Sequence, residues 1–363
     1  MADAVPLNII WIVADGLRES VTGHVTALAD AGTSFTNLAI GASGSRTERS
    51  ALLTGVSPAT FGLTDDVLSA TPPPGVAVLP LELRRAGYYT SRSGRARHNL
   101  LVGVGDNAWG SAAGPPGLLG AWDAAGPEAD WRGRLVDWES PCTVSFGCGG
   151  AGVDRSRPFF ALFNLAASDS ETTDQEIGTI LAALEEDGLA NDTAVFVIGL
   201  NADHRLVIAR RPGASDAGTS RDEQVSVIDL AATTLALAGV PIPAHMTGRV
   251  LIGGSGPVAS KQSYRVAAAD ALPPWRAPKA GLPPTAATPA GYPTGGLFHV
   301  APRVQLSCDT EEGTLVYTTE LEAPFYWRLY TGPFRMRFWT LRFQCGRLGY
   351  RNSKVVTYDF DIE

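Results

Sequence analysis

The chain has no excess of positive charge: 29 lysines and arginines stand against 37 aspartates and glutamates, a formal net charge of -8. With no long basic run to neutralise a series of phosphates, a nucleic-acid partner is excluded. No apolar stretch is long enough to span a bilayer. The opening residues, Met-Ala-Asp-Ala-Val-Pro-Leu-Asn, lack the charged and apolar regions of a signal peptide. Cysteine is scarce, with four in 363 residues. They form two sets, Cys142 with Cys148 in a Gly-rich loop and Cys308 with Cys345 in a strand-rich tail. An even count so placed points to two disulfides and an oxidising compartment; free buried thiols are the alternative, chiefly for the first set.

What the chain does have is enough apolar residue, 45% of the total, for one large core and a smaller one. Its first two-thirds alternate strand and helix patterns. Leu7-Asn-Ile-Ile-Trp-Ile-Val13, Phe159-Phe-Ala-Leu-Phe-Asn-Leu165 and Thr193-Ala-Val-Phe-Val-Ile-Gly199 are continuous apolar runs of the kind buried inside a parallel sheet. Val25 to Gly32 and Pro80 to Gly87 read as helices that end in glycine, and Val225 to Leu237 as a helix closed by Gly239 and Pro241. Thr173-Asp-Gln-Glu176 has the form of a capping box opening a helix with Ile177, Ile180, Leu181 and Leu184 on one stripe.

Residues 254–293 shift to Pro, Ala and Gly and predict a semi-rigid linker between a domain over 1–253 and one over 294–363. Beyond it, Val304 to Cys308, Thr314 to Thr318, Phe334 to Leu341 and Val355 to Phe360 read as short strands of a small β-sandwich, with Cys308 and Cys345 able to staple its sheets. Phe325, Tyr326, Trp327, Phe338 and Trp339 are candidates for stacking on sugar rings or for self-association, with core packing as the competing account.

The segment Gly44-Ser-Arg-Thr-Glu-Arg-Ser-Ala-Leu-Leu-Thr-Gly55 puts Ser45 and Arg49 on one helix face. It resembles the sulfatase signature C/S-x-P-S-R-x-x-L-L-T-G. "LADAGTSFTNL", "LRRAGYYTSRSGR", "RPFFALFNL", "DQEIGTILAALEEDGLANDTAVFVI" and "VSVIDLAATTLALAGVPIP" follow in that family's order. The compact layout looks most like its heparan N-sulfatase branch, and "VQLSCDTEEGTLVYTT" with "LYTGPFRM" resembles a chitobiase-type C-terminal domain. The resemblance implies an alkaline phosphatase-like three-layer α/β/α sandwich with a small all-β domain attached. It also implies a secreted, extracellular or periplasmic setting.

Carried over position by position, the resemblance makes Ser45 the precursor of a formylglycine nucleophile supported by Arg49, and Asp15, Asn201 and Asp203 the ligands of a calcium ion. Arg95 and His98 fall on the family's Gly-Lys-x-His segment as catalytic candidates, and Arg46, Arg97 and His204 are substrate-binding candidates. Gly16 replaces one family aspartate, and in an ungapped reading Leu200 replaces another, while a two-residue shift offers Asp203-His204 in its place; losing both carboxylates leaves a hard-cation site undercharged. Arg95 binds sulfate through its planar fork but does not release a proton readily, and Ala166 to Ser170 holds no histidine after the "PFF" strand. His24, His98 and His204 are the remaining proton-donor candidates. Thr47 stands where the serine-type signature has Pro or Ala, so capping of the helix by Ser45 or Thr47 competes with a nucleophilic role.

Two functions fit. One is a hydrolase of sulfate esters or N-sulfates on a glycan. The other is a pseudoenzyme that uses the scaffold to bind a sulfated or other anionic glycan, or to build an extracellular assembly. Arg46, Arg49, Arg92, Arg95 and Arg97 serve anion binding under either, with a solvated basic loop as the alternative for the last three. Ligand count favours the degenerate site.

Overall fold

A computed structural model describes residues 6–14, 17, 23–39, 45–57, 75–93, 122–126, 129–130, 133–134, 157–165, 169–200, 205–253, 284–321 and 327–363. The side chains of 45, 46, 124–126, 129–130 and 133–134 are outside that description. In the first part, strands β1 (Asn8–Ala14), β2 (Thr33–Phe35), β3 (Leu38–Ala39), β4 (Tyr89–Ser93), β5 (Ala124–Gly126), β6 (Ala129–Asp130) and β7 (Gly133–Arg134) are followed by β8 (Phe159–Leu165), β9 (Thr193–Leu200), β10 (Arg205–Arg210), β11 (Thr219–Arg221) and β12 (Val225–Ser226). The helices are α1 (His24–Asp30), α2 (Ser45–Thr54), α3 (Leu79–Arg85), α4 (Ser170–Glu186) and α5 (Val227–Leu237).

Eight strands make one sheet in the order β11-β2-β10-β9-β1-β8-β4-β5. Only β10 runs against the rest. The apolar runs are central because both of their faces are covered. On β1, Ile9, Trp11 and Val13 enter one core, while Ile10, Ile12 and Ala14 enter another. β9 divides the same way, with Ala194, Phe196 and Ile198 on the first side and Val195 and Val197 on the second. This period-two division requires a layer on each face of the sheet. α2, α3 and α5 supply residues to the first core, and α1 and α4 to the second, which gives the expected three-layer α/β/α architecture. Trp11 anchors the first: it lies edge-on to Phe160 at 5.4 Å, and its indole N–H donates to Thr234 Oγ1 on α5 at 3.0 Å. The buried ring thereby keeps its one polar atom satisfied.

Two helix starts differ from the sequence expectation. α4 begins at Ser170, capped by Asp169, whose Oδ1 accepts the Thr172 amide at 2.8 Å. Thr173 is therefore inside the helix, where its hydroxyl donates to the Asp169 carbonyl at 2.7 Å. Asp174 faces away from its own helix terminus and caps α1 instead, its carboxylate accepting the amides of His24 at 3.1 Å and Val25 at 2.8 Å. The predicted helix from Val225 splits into β12 and α5, with Ser226 and Asp229 forming a capping box at the junction.

The tail contains β13 (Ala290–Tyr292), β14 (Gly296–Phe298), β15 (Arg303–Ser307), β16 (Thr314–Thr318), β17 (Arg328–Leu329), β18 (Phe334–Arg335), β19 (Thr340–Gly346) and β20 (Val356–Ile362). A three-stranded sheet, β13-β15-β18, and a five-stranded sheet, β14-β20-β19-β16-β17, enclose Val304, Leu306, Met336, Leu341, Phe343 and Phe360. This is the expected sandwich, and the Cys308–Cys345 disulfide joins its two sheets. Cys142 and Cys148 lie outside the described residues. β-structure begins within the span expected to be linker: β13 pairs with β15, and Thr285 bridges to Arg351.

The sandwich is fastened to the α/β body. On β16 the outward Thr314, Val316 and Thr318 are buried. Leu329, paired with Val316, and Leu348 pack against the core formed by α2, α3 and α5. Arg84 of α3 reaches across to donate to the Trp327 carbonyl at 2.7 Å. The Glu312 carboxylate accepts the Gly75 amide.

Candidate functional site

Open α/β sheets place ligands beyond the carboxyl ends of their parallel strands. Here β9, β1, β8 and β4 lie side by side and parallel, so four such ends form one edge. Their register aligns Ala14 with both Leu165 and Gly199, and Ser93 with Phe163. In the sequence, Asp15 follows β1; Asn201, Asp203 and His204 follow β9; and Arg95, Arg97 and His98 follow β4. All seven lie outside the described residues. What the structure does give is the order of the segments that carry them. The segments bearing the predicted metal ligands leave adjacent strands, and the arginine segment leaves the strand two places away, across β8.

Two side chains that hold β4 in place were missed by sequence reasoning. Asn164, near the end of β8, donates from Nδ2 to the Ser93 carbonyl at 3.0 Å, tying the last residue of β4 to its neighbour. Asp123 accepts the Thr90 amide at 2.8 Å and the Thr90 hydroxyl at 3.2 Å on β4 while pairing with Arg84 of α3. A carboxylate taking two backbone or hydroxyl donors and a guanidinium is well compensated for burial. No local motif marks either residue.

The signature segment forms α2 from Ser45 to Thr54. Ser45 is its first helical residue, one position past a capping site, and the side chains of Ser45 and Arg46 are outside the description. Thr47 is fully buried within the first turn and is not the cap. Glu48 and Arg49 are also buried, at 3% and 6% exposure, so two ionisable side chains sit in the opening turns of this helix. The closing Thr-Gly of the signature has a local cause. Thr54 Oγ1 donates to the Ser50 carbonyl at 2.8 Å, and Gly55, at φ 63, donates its amide to Ala51 at 2.7 Å. A side chain at Gly55 would meet Met246 as well as the left-handed backbone penalty.

His24 is exposed at the start of α1, its ring lying over Gly178 on α4, where a methyl group would collide with it. Arg92 is half-buried on β4, opposite Leu162. Among the described residues there is no group of three or more His, Cys, Asp or Glu side chains able to hold a metal ion, and the predicted ligands are not among those residues. No helix of the described residues is long and apolar enough to cross a membrane.

The ulvan-active sulfatase of Formosa agariphila is 24% identical over 374 residues, covering 72% of this chain and 57% of that protein. The chain thus spans little more than half the length of the curated relative it matches. No family model matches it. Among solved structures, Ps i-CgsB in complex with k-i-k-neocarrahexaose is 16% identical, with a TM-score of 0.48, over 68% of this chain and 75% of that one. The phosphonate monoester hydrolase SpPMH from Silicibacter pomeroyi is also 16% identical, with a TM-score of 0.47, over 68% and 76%. The chain is thus similar in sequence, over 72% of its length, to a sulfatase, and it has a three-layer α/β/α fold with the signature-like segment on α2.

Proposed function

We propose that the chain binds a sulfated glycan at the carboxyl edge of β9, β1, β8 and β4, with a hydrolytic centre that is depleted. The observation that supports this reading is the alignment of those four strand ends on one edge, three of them (β1, β9 and β4) followed in the sequence by site candidates, together with a signature helix holding a buried Arg49. Arg46, Arg49, Arg95 and Arg97 provide guanidinium groups, whose planar fork suits an oxyanion. The relation to an ulvan-active sulfatase supports a sulfated polysaccharide as the ligand class.

The donor set fits calcium poorly. Gly16 and Leu200 offer no side-chain oxygen, so Asp15, Asn201 and Asp203 leave two carboxylates and one amide for an ion that takes about six to eight oxygens. Proton donation to a leaving group rests on His98 or His204, because Arg95 keeps its proton. Thr47 departs from the serine-type signature read for formylglycine formation at Ser45.

A second reading is a working hydrolase of sulfate esters or of N-sulfates, the latter in keeping with the heparan N-sulfatase-like layout. It is favoured by the adjacency of β1 and β9, from which Asp15 and Asn201 with Asp203 depart. In either case we assign residues 1–253 to the catalytic-type unit and 284–363 to an accessory sandwich of the chitobiase type, in a secreted or periplasmic setting.

The test is mass spectrometry of the Ser45 peptide from a host with formylglycine-generating machinery, together with assays on an aryl sulfate and N-sulfated glucosamine. The expected result is an intact serine, no turnover, and binding of a heparin oligosaccharide that Arg95→Ala weakens. Loss of two hydrogens at Ser45, with calcium-dependent turnover abolished by Ser45→Ala, would establish the second reading instead.

A further inference from the structure

The solvent face of the three-stranded sheet in the tail has a composition that packing does not require. On β15, Val304 and Leu306 point inward, while Arg303, Gln305 and Ser307 are exposed. Arg303 stands directly opposite Arg335 of β18, and Gln305 opposite Tyr292 of β13. The alternation continues past β18: Met336 is fully buried and Arg337 exposed. Arg303, Arg335 and Arg337 have no ion pair or hydrogen-bonded carboxylate among the described residues. Tyr292 is 78% exposed.

Like charges directly opposite each other in a ladder destabilise the sheet, since their Cβ atoms are only about 5 Å apart. An opposite charge at one of the two positions would be the stabilising choice. In a protein of net charge -8, three unpaired guanidinium groups on one small face form a local site of opposite sign, suited to an anion placed between them. The neighbouring ring and amide fit a ligand that is a sugar as well as an anion: Tyr292 presents an open aromatic face for a pyranose, and Gln305 has both a donor and an acceptor for hydroxyls. Phe338 and Trp339, 53% and 62% exposed, follow Arg337 in the chain.

We propose that this face, built on Tyr292, Arg303, Gln305, Arg335 and Arg337, is a second binding site for a sulfated polysaccharide chain, separate from the strand-end site. It shares the ligand class of the proposed function and does not depend on hydrolysis there. Long chains carrying many sulfates would engage it and be held near the α/β body, to which the sandwich is fastened through Arg84 and Trp327.

Affinity electrophoresis of the full chain in gels containing dextran sulfate, unsulfated dextran or polyglutamate tests the assignment. Retardation by dextran sulfate alone is expected, with apparent affinity falling about tenfold in Arg303→Ala/Arg335→Ala/Arg337→Ala. The corresponding triple lysine variant retains more binding than the alanine variant, and Tyr292→Ala loses part of it. Retardation of the alanine variant equal to that of the parent, or no retardation of the parent, overturns the proposal. Equal retardation by polyglutamate also overturns it, by assigning the face to acidic proteins. Arg95→Ala keeps the retardation if the face acts by itself, so loss at the strand-end site and loss here are read separately.

Discussion

Arg84 and Asp123 form a buried ion pair at 2.7 Å, with side-chain exposures of 4% and 2%, and the same guanidinium donates to the Trp327 carbonyl of the tail. One charge pair therefore links α3, β4 and the sandwich. Asp123→Ala leaves Arg84 buried without its counter-charge and is expected to cost about 3–5 kcal/mol by denaturant titration. An Arg84→Met/Asp123→Leu double variant should lose much less, because neither charge is then stranded. Arg84→Met by itself should also increase proteolytic cleavage between the body and the tail.

Asp174→Ala removes both acceptor oxygens from the start of α1. A loss of about 1 kcal/mol is expected, the usual value of an N-cap. Asp174→Asn should recover part of it, and amide exchange at His24 and Val25 should report the change locally.

The Cys308–Cys345 bridge has a sequence separation of 37 and joins the two sheets of the tail. Cys308→Ser/Cys345→Ser frees that loop in the unfolded chain, with an expected loss of about 2–4 kcal/mol. Thermal unfolding of the parent under reducing conditions should approach that of the variant.

His245 is buried, with Nε2 3.2 Å from the Ala77 carbonyl. Burial lowers its pKa below the ordinary 6.5, an effect partly opposed by the Ala77 hydrogen bond and by Glu82 and Glu312. The unfolded chain thus takes up the proton at a higher pH than the folded chain does. Stability from this group is unaffected well above pH 6.5 and declines as pH falls below it, until the folded-state value is passed. Thermal melts between pH 8 and 5 should show a shallower acid decline below pH 6.5 for His245→Gln than for the parent.

Much of the fold was legible because burial leaves a mark in composition. The run Leu7 to Val13 has too many apolar residues for a half-exposed strand, and Phe159 to Leu165 and Thr193 to Gly199 repeat the signal. The signature segment was legible too, because its Thr-Gly ending has a local backbone cause at Gly55. The start of α4 was misread for a related reason. Thr173 to Glu176 matches a capping box, but Asp169 can cap as well, and Asp174 is taken by another helix.

By itself the sequence determined the central strands and most helices, the signature-like segment, the absence of a side-chain oxygen at Gly16 and Leu200, and the two-sheet tail, all properties of neighbouring residues or of residue identity. Only the tertiary structure decided that β9, β1, β8 and β4 end side by side, that Asp123 holds β4 to α3, and that Arg303 faces Arg335. Those partners lie tens of residues apart, and strand order and register bring them together; side-chain periodicity along the chain carries information about which face is buried but none about which distant residue will lie opposite.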